Sequence, residues 1–172
     1  DTLDGGAGAD TLTGGAGIDT FIIRSGDGGS GIIDTDTITD FTDGTDIIGM
    51  SGLNYSDLTI EQSDSDVLIK NGSEILSKIQ NLAASNLNYY DIVSSSTTAQ
   101  TINGTSGDDI LLGGSGNDTF TTGTGTDVVL GYGGNDGITL DGAGGKTIDG
   151  GAGTNTVAIT YSGLAGLQDF PT

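Results

Sequence analysis

The chain has 172 residues and a formal net charge of −20, from 24 acids against 4 Lys and Arg, and it has neither Cys nor His. That composition excludes a disulfide scaffold, a thiol nucleophile, a zinc finger and a Ser-His-Asp triad within the chain. A polyanion also repels phosphate, so nucleic acid is not expected as a partner. Hydrophobic residues make up 33% and glycines number 33, a balance that leans towards disorder unless a bound cation holds the acids together. No apolar run reaches the roughly 18 residues of a membrane span, and no basic segment followed by an apolar stretch marks a signal peptide.

The chain opens on two direct copies of a nine-residue unit, residues 5–13 (GGAGADTLT) and 14–22 (GGAGIDTFI). Residues 1–4 (DTLD) are the tail of an earlier copy in the same register. The register implies that the chain begins inside a repeat and is a piece of something longer. After Phe21 the period fails, and residues 24–33 read as a Gly-rich loop. Residues 36–53 carry Asp36, Ile38, Asp40 and Phe41, then a turn, then Ile47-Ile48 and Ser51-Gly52-Leu53. Residues 58–60 and 66–69 read as short strands joined by a polar turn, and Lys70-Asn71-Gly72-Ser73 as a tight turn. Ile75, Ile79, Leu82 and Leu87 are assigned to a short helix or loop. The Ser/Thr run after Val93 reads as a linker over residues 94–101, dividing a first block, 1–93, from a second, 102–172.

The second block holds six copies, at residues 104–112, 113–121, 122–130, 131–139, 141–149 and 150–158. Leu140 is one residue out of step, Lys146 stands where the sixth-place aspartate belongs, and Asn155 stands there in the last copy. Residues 161–172 read as the start of a second cap. Gly145-Lys146-Thr147 does not make a phosphate loop, because Leu140 occupies the place of its first glycine. Acid pairs such as Asp108-Asp109 arise by chance in so acidic a chain and identify no glycosidase cleft.

One unit has a readable physics. Its GGxGxD half can turn through positive φ, and its last three residues form a short strand with one inward apolar side chain. The inward set is Leu3, Leu12 and Phe21, then Leu111, Phe120, Val129, Ile138, Ile148 and Val157. Turn plus strand is half a coil, and stacked coils give parallel sheets over a thin core, an all-β parallel β-roll in two blocks. Residues 41–93 then serve as a β-rich cap on an open roll end. Stacking also gathers aspartates, which repel unless a cation lies between them. Carboxylates and bare turn carbonyls make the hard oxygen cage that calcium prefers, and magnesium fits less well because of its strict octahedral demand.

These blocks resemble the GGxGxDxUx nonapeptide of the repeats-in-toxin (RTX, haemolysin-type) calcium-binding family. The resemblance implies calcium as the bound ion, held between turns two repeats apart. One repeat gives the carbonyls of places two and four plus its aspartate; the later repeat gives those of places one and three plus its own. It pairs Gly114, Gly116 and Asp118 with Gly131, Gly133 and Asp136, and Thr105, Gly107 and Asp109 with Thr122, Thr124 and Asp127. In the first block it pairs Asp1 with Gly14, Ala16 and Asp19, and it places Gly6, Gly8 and Asp10 in an earlier half-site. Residues 36–53 resemble the closing segment of serralysin-type C-terminal domains, which makes Asp27 and Asp36 the acids completing the last calcium. Lys146 is expected to abolish the partner half-site of Asp127, and Asn155 to weaken that of Asp136. The family further implies a non-catalytic module of a secreted bacterial protein exported by a type I system. The rival readings are an adhesin or surface-layer element touching cell-surface polysaccharide, or the C-terminal module of a secreted hydrolase, with neighbouring domains of a longer parent as partners.

Overall fold

The computed structural model describes residues 1–160 and divides the chain into two units, one ending at Ser96 and the other beginning at Thr97. Among the described residues, sixteen strands account for the regular structure, apart from three single 3-10 turns at Ile32–Asp34, Tyr55–Asp57 and Ala84–Asn86. No helix among the described residues is long and apolar enough to cross a membrane.

In the first unit, β1 (Thr2–Asp4), β2 (Thr11–Leu12) and β3 (Thr20–Arg24) come from the nonapeptides. β4 (Asp36–Ile38), β5 (Ile47–Ser51), β6 (Leu58–Ser63), β7 (Asp66–Asn71), β8 (Glu74–Ile79) and β9 (Ile92–Ser94) follow. One sheet runs β1-β3-β5-β9, all parallel; the other runs β2-β4-β8 in parallel and adds β7 and β6 antiparallel. Thr2 aligns with Thr20, a step of two nonapeptides, whereas Thr20 aligns with Ile47 and Thr11 with Thr37 because the 24–35 loop is inserted into that coil. β8 and β9 pair with the edges that β4 and β5 offer, so the segment after the repeats extends both sheets.

In the second unit, β10 (Thr101–Asn103), β12 (Thr119–Thr121), β14 (Gly137–Leu140) and β16 (Thr156–Ile159) form one parallel sheet. β11 (Ile110–Gly114), β13 (Asp127–Tyr132) and β15 (Lys146–Asp149) form the other. Thr101 aligns with Thr119 and Ile110 with Val128, then Asp127 aligns with Lys146 and Gly137 with Thr156: the step lengthens by one residue, the extra one at Leu140. The architecture is that of a parallel β-roll.

Leu111, Phe120, Val129 and Ile138 form the second unit's core, with Ile102, Leu140 and Ile148 packed against it. Phe21 is fully buried, but Leu3 and Leu12 are only half-buried. Val157, expected to face inward, is exposed, since β16 is the last strand of its sheet among the described residues. Ile75 and Ile79 lie in β8 instead of a helix or loop, because the hairpin needs a third strand to join the roll. The segment expected as a linker over 94–101 is shorter: Ser94 ends β9, the Ser95 N–H and hydroxyl both donate to Met50 O, and Thr101 begins β10. The expected second cap at 161–172 lies outside the described residues.

Candidate metal centre

The turns owe their shape to places two and four of the unit. Gly6 and Gly8, Gly15 and Gly17, Gly123 and Gly125, and Gly151 and Gly153 all have positive φ, the left-handed region that glycine enters without steric penalty. Tyr132 takes that conformation at place two, with φ 66, ahead of Gly134. Thr105, Gly107, Gly114 and Gly116 stay outside it. Gly114 instead continues β11 and pairs with Tyr132.

The sixth-place side chains stack into ladders. In each, an aspartate Oδ1 accepts the backbone N–H at the equivalent place one coil earlier. Asp127 accepts from Asp109 at 3.0 Å, Asp136 from Asp118 at 2.8 Å and Asp118 from Gln100 at 2.8 Å. In the first unit Asp36 accepts from the Asp10 N–H at 2.9 Å, and Asp19 Oδ1 accepts from the Asp1 terminal ammonium at 2.7 Å. Asp19, Asp118, Asp127 and Asp136 are all at most 1% exposed. Burying ionised carboxylates is costly unless each oxygen meets a donor or a cation.

The second oxygens divide into kinds. Asp109 Oδ2 accepts the Thr105 N–H at 2.7 Å and Asp118 Oδ2 the Gly114 N–H at 2.9 Å, so these carboxylates close their own turns. Asp19 Oδ2 and Asp136 Oδ2 are buried without a hydrogen-bond donor. Asp27 Oδ2 likewise has no hydrogen bond, although Arg24 lies 3.5 Å away as an ion-pair partner. Asn155 keeps the ladder with Oδ1 on the Asp136 N–H at 2.8 Å, while its Nδ2 donates to Gly150 O at 2.8 Å. A donor thus occupies the place where Asp109, Asp118, Asp127 and Asp136 present a second anionic oxygen.

The glycine at place one explains itself here. A Cβ on Gly14 would stand 2.5 Å from Asp19 Oδ2, one on Gly5 2.5 Å from Asp36 Oδ2 and one on Gly113 2.7 Å from Asp118 Oδ2. In these three turns a missing side chain leaves the carboxylate its position, whereas the 122–130 turn accommodates Thr122 there. Gly14→Ala is therefore expected to weaken calcium binding by the first unit about tenfold, the equivalent of roughly 1.4 kcal/mol. Calorimetric titration checks this, with Gly31→Ala, whose Cβ would meet nothing closer than 3.8 Å, as the neutral control.

Sequence reasoning missed several acids that complete these turns. Asp40 accepts the Gly14 and Gly15 N–H groups at 2.9 and 2.8 Å. Asp46, 4% exposed, accepts from Asp19 N at 3.0 Å and Thr42 N at 2.8 Å, and so extends the Asp1–Asp19 ladder. Asp141 Oδ1 accepts the Gly123 N–H at 2.7 Å. The signal available for Asp46 was its place just before the apolar pair Ile47-Ile48, as Asp19 precedes Thr20-Phe21.

Around the 24–35 loop, burial pushes the carboxyl groups of Asp36 and Asp27 above the usual carboxylate range. For Asp36 the Asp10 N–H opposes that shift, and the charges of Asp10, Asp27 and Asp4 add to it. For Asp27 the nearby Arg24 opposes it. A carboxyl whose folded pKa is raised keeps its proton in the native state after the unfolded chain has lost it. Its contribution to metal-free stability therefore falls as pH rises from the ordinary carboxylate range through the raised folded values. In chelator, the first unit's melting temperature is expected to fall over that window, and Asp36→Asn to flatten the slope, as thermal scans at stepped pH would show.

The residues fit a hard cation. Buried oxygens of Asp19 and Asp136 lack donors, the turns beside them take left-handed φ, and no thiol or imidazole competes. No cluster of three or more acidic side chains converges among the described residues, in keeping with cages made largely of backbone oxygens.

A family model for the RTX calcium-binding nonapeptide repeat matches the chain in four copies, over residues 1–21 and 101–138. No curated protein matches the chain. RTX nonapeptide repeats bind calcium ions, and the repeat is a structural element, not a catalytic one.

Proposed function

We propose, from the premise that the chain carries RTX calcium-binding nonapeptide repeats, that it is a calcium-folded structural module of an exported bacterial protein. The observation that carries this reading is the pair of buried, donorless oxygens on Asp19 and Asp136 within glycine turns. Bound calcium would supply the positive charge that these oxygens lack. Asp1, Asp19 and the Gly14 and Ala16 turn would hold it in the first unit, with Gly6, Gly8, Asp10, Asp27 and Asp36 around a further ion. In the second unit, Asp118 and Asp136, with the turns of Gly114, Gly116, Gly131 and Gly133, would hold one ion. Asp109 and Asp127, with Thr105, Gly107, Thr122 and Thr124, would hold another.

Such a site links folding to calcium, because ligands brought together only in the native state make binding free energy into folding free energy. Where calcium is scarce, carboxylate repulsion and glycine entropy keep the repeats open; where it is millimolar, they close. That difference suits a chain that crosses an envelope unfolded and folds outside. Titration of the full chain tests the reading. Calcium should bind with a gain of far-UV β signal, and magnesium at equal concentration should not replace it. Identical spectra in chelator and in calcium would overturn it.

A further inference from the structure

We infer that the Lys146 ammonium serves as a built-in cation in place of calcium at the junction of β13 and β15. This inference rests on the calcium reading of the other turns. Lys146 Nζ donates to Gly123 O at 2.9 Å, to Gly125 O at 2.9 Å and to Asp127 Oδ2 at 2.5 Å. Those acceptors are the carbonyls of places two and four and the carboxylate of place six from one nonapeptide. They form the complete half-cage that this repeat would offer a metal.

The fit is chemical as well as positional. An ammonium has three N–H donors and no acceptor, and here each donor meets one oxygen. The Lys146 side chain is 8% exposed and that of Asp127 0%, so the charge pair is buried and fully hydrogen-bonded, the condition under which such a pair is tolerated. Gly123 and Gly125 have φ of 74 and 120, close to the 75 and 119 of Gly6 and Gly8. The lysine has therefore entered the turn without reshaping its first half.

The second half of the cage has been rebuilt around it. A lysine cannot accept the ladder hydrogen bond, and the Asp127 N–H donates to Gly145 O at 2.9 Å instead. The register step from Asp127 to Lys146 carries one residue more than the steps before it, and that residue, Leu140, ends β14 just ahead of the turn.

This junction accordingly closes without calcium and takes none up. The test uses the full chain in saturating calcium, with lysine-directed acylation read by mass spectrometry and calcium counted by equilibrium dialysis. Lys146 should label more slowly than Lys70, whose side chain is 25% exposed, and Lys146→Asp should bind one calcium more than the parent chain. Labelling of Lys146 as fast as that of Lys70 would show the ammonium displaced and overturn the inference. So would a folded Lys146→Asp chain with an unchanged calcium count. If Lys146→Asp does not fold, the labelling of the parent chain decides. A parent chain that binds no calcium at all would instead overturn the reading on which the inference rests.

Discussion

In chelator, the second unit is expected to lose its β signal at a lower temperature than the first, and millimolar calcium to bring the two transitions together. The reason lies in where the apolar side chains are. Fifteen of the buried hydrophobic residues belong to the first unit, among them Val67, Ile69, Leu76 and Ile79 from the β6-β7-β8 meander. Among the described residues the second unit has six, Leu111, Leu112, Phe120, Val129, Leu130 and Ile138. Each fully buried side chain of this kind contributes roughly 1.5–3 kcal/mol, while every ordered residue loses roughly 1–2 kcal/mol of backbone entropy. The second roll therefore depends more on what its carboxylates bind. Circular dichroism melts with and without chelator would resolve the two steps, and a single, calcium-independent transition would refute the asymmetry.

The largest effect of a point substitution is expected at Asp136. Its Oδ1 holds the Asp118 N–H at 2.8 Å and its Oδ2 is buried without a donor. Asp136→Asn preserves an acceptor for the ladder and removes the charge, whereas Asp136→Ala removes both. A charged ligand is worth about 1.5–3 kcal/mol in a hydrogen-bonded setting, so either change should raise the calcium midpoint about ten- to hundredfold. Only Asp136→Ala should also lower the calcium-saturated melting temperature appreciably. Asp57, exposed and with its carboxylate accepting from Asn54 Nδ2 at 3.0 Å, should change neither. Equal effects at Asp136 and Asp57 in calcium titrations would remove Asp136 from the site.

Local periodicity made the roll legible. A nine-residue period with an apolar eighth place specifies parallel strands two units apart, and Thr101 over Thr119 and Phe120 over Ile138 follow that spacing. Leu140 and Lys146 stood out as departures because the background was so regular. The period could not show closure at a distance. Asp40 and Asp46 enter the first unit's turns across the 24–35 insertion, where residue counting no longer predicts neighbours. Nor could it show that Asp109 and Asp118 use their second oxygens on the turns of Thr105 and Gly114. That choice goes with φ at places two and four, and the GGxG letters allow both conformations, left-handed at Gly15 and Gly17 and not at Gly114 and Gly116. Leu112 and Leu130 were missed because a single-core reading assigns the place after the inward residue to solvent.

The stepped register also sets how the second unit would yield under tension. Each inner strand, β12, β13 and β14, bonds to the strand one coil before and one coil after, with no long-range brace across the stack among the described residues. A pull along the stacking axis loads one coil boundary at a time, as opening a zip loads one tooth. The length released at each event follows the pairing step, from Thr101 to Thr119 in the first coil and one residue longer in the last, and at roughly 3.3–3.6 Å per extended residue it is about 60 Å. The boundary that Lys146 closes would be the exception, since its cation is covalently tied to the strand and cannot diffuse away when the coil opens.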